Sequence, residues 1–70
     1  MKYLIVIEKT PTGYSAYSPD VPGCVAAGST REEVEHEMGD AISFHLEGLK
    51  AEGVDLPRPS TQSAYIEIPA

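Results

Sequence analysis

Between Ser29 and Gly53, Val34, Met38, Ala41, Ile42 and Leu49 recur at steps of three and four, with His45 inside the same stripe. At about 100° per residue, this spacing is that of a helix with one buried side. Glu33, His36, Glu37, Asp40, Ser43 and Glu47 take the opposite side. Two overlapping capping-box patterns, Ser29-x-x-Glu32 and Thr30-x-x-Glu33, mark the start. Gly53 followed by Val54 reads as a left-handed cap at the end. Gly39 falls on the exposed side, where glycine costs about 1 kcal/mol relative to alanine. Gly48, at the edge of the stripe, is expected to let the helix approach a sheet.

The other periodic stretches are short and β-like. Tyr3-Leu4-Ile5-Val6-Ile7 is apolar on both faces and rich in branched side chains. Either Leu4 and Val6 face the helix, or Tyr3, Ile5 and Ile7 do. Thr10-Pro11-Thr12-Gly13 is a turn in which proline presets φ and glycine is expected to accept a positive φ. It leads to a second strand, Tyr14–Ser18. Val21-Pro22-Gly23-Cys24 suits a type II turn, and Cys24–Gly28 follows as a third strand. Beyond the helix, Leu56-Pro57-Arg58-Pro59 must be extended, and Ala64-Tyr65-Ile66-Glu67-Ile68 alternates as a final strand.

The expected order is β-β-β-α-β, an α+β domain with one helix packed on a small mixed sheet. A right-handed crossover would set the last strand beside the first and parallel to it, in spatial order 3-2-1-4. One helix covers one face of a sheet. The second apolar face therefore needs another cover, which points to self-association, as a dimer or tetramer, or to a bound partner.

Seventy residues make one domain, 1–70, that buries only about 60% of its unfolded surface. A single cysteine, Cys24, excludes disulfide stapling within the chain and fits a reducing compartment. No signal-like or membrane-spanning run is present, so the cytoplasm is the expected location. Eleven acids against five bases give a net charge of −6. That balance argues against direct nucleic-acid binding and favours a cationic partner.

Little in the chain points to catalysis. A nucleophilic Cys24 would need a base, and His36 and His45 lie nine residues apart on one helix, pointing away from each other. Glu32, His36 and Asp40 form an i, i+4, i+8 row, but a closed metal site needs further ligands. A nuclease would need clustered carboxylates at strand ends, and only Glu8 and Asp20 are available. No cofactor, no metal and no enzymatic activity are expected. His45 needs a hydrogen-bond partner if it is buried in the stripe.

Gly13-Tyr14-Ser15-Ala16-Tyr17-Ser18-Pro19-Asp20-Val21-Pro22-Gly23-Cys24, followed by Ala27-Gly28-Ser29-Thr30-Arg31-Glu32-Glu33, resembles the HicB antitoxin family. The shared pattern is a strand ending in Pro-Asp-x-Pro-Gly-Cys, a short strand, and Gly-x-Thr-x-Glu-Glu opening a helix. Ala41-Ile42 and His45-Leu46-Glu47-Gly48-Leu49 are similar to that family as well. The resemblance implies a partial ribonuclease-H-like fold. It also implies an antitoxin that binds and masks a small basic HicA-type toxin that degrades messenger RNA. Many members carry a C-terminal DNA-binding domain, which the stretch to Ala70 does not contain, so DNA binding is not carried over. The expected partner-binding residues are Tyr17, Asp20, Glu33, Glu37, Asp40 and Glu47. The alternative is a stand-alone oligomeric binding or scaffold domain with no toxin.

Overall fold

A computed structural model describes residues 1–70. Three antiparallel strands, β1 (Val6–Thr10), β2 (Gly13–Tyr17) and β3 (Val25–Gly28), are followed by one helix, α1 (Arg31–Ala51). The sheet order is β1-β2-β3. This is the expected α+β arrangement of one helix on a small sheet, with two corrections. The sheet is purely antiparallel, and it has no fourth strand. The order 3-2-1-4 is therefore not formed, because residues 64–68 do not join the ladder. Alternation in those residues is only a preference. A strand also needs a partner's amides and carbonyls at hydrogen-bonding distance.

β1 begins three residues later than its apolar run suggests. Val6 pairs with Tyr17, so the next positions along β2 are Ser18 and Pro19. Proline has no N–H to donate, and the ladder stops. The buried Ser18 hydroxyl donates instead to the Leu4 carbonyl at 2.9 Å, holding the lead-in to β1 without a ladder. At the other end, Thr10 pairs with Gly13 across the two-residue loop Pro11-Thr12. Gly13 does not have a positive φ. Glycine is needed there because a Cβ would run into the Gly28 carbonyl of the neighbouring chain segment. Gly23 is the residue that takes the left-handed conformation, at φ 90°, in the type II turn. That turn is closed by the Cys24 N–H donating to the Val21 carbonyl at 3.3 Å.

Thr30, not Ser29, caps α1. Its Oγ1 accepts from the Glu33 N–H at 3.1 Å. The Glu33 carboxylate accepts from the Ser29 hydroxyl at 3.1 Å, so both capping candidates are used, in different roles. The helix closes with a Schellman pair: Val54 N–H to the Leu49 carbonyl and Gly53 N–H to the Lys50 carbonyl.

The core is small. Ala16, Val21, Cys24, Val34, Met38 and Ile42 are buried, with Tyr3, Ile5, Ile7, Tyr14, Ala26 and Leu46 packed around them. Tyr3, Ile5 and Ile7 are thus the helix-facing set, which resolves the choice that the N-terminal run leaves open. The buried line on α1 runs Val34, Met38, Ile42, Leu46, stepping by four. Rows spaced by four residues wind round a helix instead of following its axis. By the last turns the contact has passed to Leu46, and His45 is exposed. Its expected burial, and the need for an internal partner, both fall away. Gly48 likewise faces open space and does not approach the sheet.

Candidate functional site: two exposed faces and a clamp

Cross-strand register builds the face of the sheet turned away from α1. Val6 pairs with Tyr17 and Tyr17 with Val25, so the three side chains form one row across all three strands. Tyr17 and Val25 are exposed. The next row, Glu8, Ser15 and Ala27, is polar or small. Tyr17 therefore sits at the centre of an uncovered apolar row.

The outward face of α1 is the second surface. Glu33, Glu37, Asp40 and Glu47 are all exposed and lie within about a quarter-turn of one another at 100° per residue. In their midst is Phe44, 80% exposed. The apolar stripe of the helix does not include Phe44, and the signal that finds it is a lone aromatic among acids at i−7, i−4 and i+3, which 100° per residue sets on one face. A shallow groove of about 200 Å³ lies beside it, bounded by His45, Gly48, Leu49 and Glu52. His36 reaches Asp40 at 3.4 Å, both of them exposed.

Asp20, the sixth expected contact residue, is placed elsewhere. Its Oδ2 accepts from the Ser60 and Thr61 N–H groups at 3.0 and 2.9 Å, and its Oδ1 from their hydroxyls at 3.2 and 2.7 Å. These bonds, the Thr61 amide first, stabilise the charged carboxylate and lower its pKa from the ordinary 3.8. Its acceptor capacity is committed to the returning chain.

The six expected residues are thus divided among an open sheet row (Tyr17), a helix face (Glu33, Glu37, Asp40 and Glu47) and an internal clamp (Asp20). Cys24 is buried, with its Sγ 3.8 Å from the Ala41 carbonyl, and burial raises its pKa above 9.0. A protonated thiol packed beneath the helix is not a nucleophile. No group of three or more His, Cys, Asp or Glu side chains is arranged to hold a metal ion. No helix is long and apolar enough to cross a membrane.

Comparison with known proteins agrees with the motif. The family model of the HicB-like antitoxin of bacterial toxin-antitoxin systems matches residues 3–70. An uncharacterized 14.9 kDa protein of Haemophilus phage HP1 is 44% identical over 69 residues, 99% of this chain and 52% of the phage protein. Antitoxin HicB 2 of Photorhabdus laumondii is 32% identical over 71 residues, all of this chain and 51% of the relative. The chain spans about half the length of these two curated relatives. Among solved structures, a chain of a HicA3 and HicB3 toxin-antitoxin complex superposes with a TM-score of 0.69 at 38% identity, over 86% of this chain and 70% of that one. A family match across nearly the whole chain, on the strand–turn–strand–helix unit described above, means that this chain belongs to the HicB-like antitoxin family of bacterial toxin-antitoxin systems.

Proposed function

We propose that this domain is the recognition part of an antitoxin. It binds a small basic HicA-type toxin that degrades messenger RNA, and masks it by protein–protein contact in the cytoplasm without chemistry of its own. The observation that carries this reading is the outward face of α1, where Glu33, Glu37, Asp40 and Glu47 surround the exposed Phe44. Acidic side chains around the contact steer and orient a cationic partner. An aromatic at the centre supplies the desolvated anchor that holds it. Tyr17, amid the open apolar row, offers a second anchor of the same kind. Asp20 contributes indirectly, by fixing the C-terminal segment.

Co-expression with a HicA-type toxin tests this. Growth should be rescued, and the two chains should co-purify. Phe44→Ala and the triple reversal Glu37→Lys, Asp40→Lys, Glu47→Lys should each weaken the complex, the reversal mainly by slowing association. No rescue and no complex would overturn the reading. The uncovered Val6–Tyr17–Val25 row favours a second reading, a stand-alone oligomeric binding or scaffold domain. Self-association lost on Tyr17→Asp, with no toxin bound by the unsubstituted chain, would support it.

A further inference from the structure

Beyond Val54 no backbone amide bonds another backbone group. The segment is held only through side chains: the Tyr3 hydroxyl donates to the Pro57 carbonyl at 2.6 Å, and Asp20 binds Ser60 and Thr61. Yet Ala64-Tyr65-Ile66-Glu67-Ile68 has the alternation of a strand, and its large apolar side chains lie in solvent. Tyr65 is fully exposed, Ile66 is 81% exposed and Ile68 72%. The radius of gyration is 14.0 Å, against roughly 11 Å for a compact chain of this length. A strand-like apolar segment thus lies outside the body that it would complete.

The body has the matching gap. β1 is paired on one side only, so its other edge presents free amides and carbonyls. An open cleft of about 330 Å³ separates Leu4–Ile7 from the chain's own Ser63–Tyr65. Between that edge and α1 is a second cleft of about 400 Å³, lined chiefly by Tyr3, Ile5, Met38, Ile42 and Leu46. The chain's own tail passes the edge and leaves both clefts unfilled. Its course is set by the Asp20 clamp and by Pro57 and Pro59, which keep the linker extended.

We propose that residues 62–70 are a strand donated to a second copy of this chain, pairing with its β1 edge and placing alternate apolar side chains in the cleft beside α1. Every copy carries both the donor segment and the acceptor edge, so a two-fold exchange satisfies both at once. The exchange also supplies core to a chain in which only seven of 70 residues are buried. It is independent of toxin binding.

The test mixes two chains, each carrying Cys24→Ser, one with Glu8→Cys and the other with Glu67→Cys; both of these glutamates are exposed. A short bismaleimide should link the two different chains. Light scattering of the unsubstituted chain at micromolar concentration should give twice the chain mass. Ile66→Asp with Ile68→Asp should raise the dimer dissociation constant by about a hundredfold or more. Three results would overturn the proposal: a monomer, no link between the two different chains, or a dimer that survives removal of residues 62–70.

Discussion

Asp20 and Thr61 are 41 positions apart and are joined twice, by the Thr61 N–H at 2.9 Å and the Thr61 hydroxyl at 2.7 Å. Ser60 repeats the arrangement on the same carboxylate. The acid of the Pro-Asp-x-Pro-Gly turn is thus the anchor of the returning chain.

Asp20→Ala should free that segment while leaving sheet and helix folded. Proteolysis and amide exchange around residues 56–66 should speed up several-fold, with little change in the helical circular dichroism. The clamp is also acid-labile. Its bonded carboxylate has a lowered pKa, so its contribution is complete above 3.8 and is lost as pH falls through the lower folded-state value. Exchange near Thr61 should therefore rise only in acid below pH 3.8. The Asp20→Ala chain should show no such step.

Met38→Ala should be the most damaging single truncation. Met38 is fully buried between helix and sheet. Removing a buried side chain of this size costs about 2–5 kcal/mol. Against the roughly 4–10 kcal/mol that 70 residues provide, this is a large share. Urea titration should show a much lower midpoint, or no folded baseline.

Gly39→Ala and Gly48→Ala should both stabilise. A Cβ at either position meets nothing within 4 Å. Each change should gain about 1 kcal/mol of helix stability, a rise in Tm of about 4–8 °C. They should differ in binding. Gly48 borders the groove beside Phe44, and a methyl there narrows it. Partner affinity measured by calorimetry should fall for Gly48→Ala and stay unchanged for Gly39→Ala.

Cys24 should resist modification. Buried and protonated, it offers little thiolate at neutral pH. Labelling with a soluble maleimide should be slow for the native chain and fast in denaturant.

Much of this architecture is written locally. The Thr30 cap, the Gly53–Val54 terminus, the Val21–Cys24 turn and the Pro11-Thr12 hairpin loop each follow from a few adjacent residues. The buried positions Val34, Met38 and Ile42 follow from helical periodicity. These are short-range consequences of side-chain shape, φ restriction and hydrogen-bonding capacity, and a linear chain displays them directly. Acidity and a lone cysteine are equally plain from composition.

What the chain does not display is anything set by distance across the fold. His45 leaves the core because the contact line winds round α1. Gly13 is needed because β2 starts against Gly28. Asp20 becomes a clamp because Ser60 and Thr61 return to it. The last apolar stretch has the pattern of a strand, but pairing requires a neighbouring edge at hydrogen-bonding distance. Sequence alone determined three strands, one helix and their order along the chain. Tertiary structure decided their partners, because the energy of a sheet edge or a buried face belongs to two segments at once.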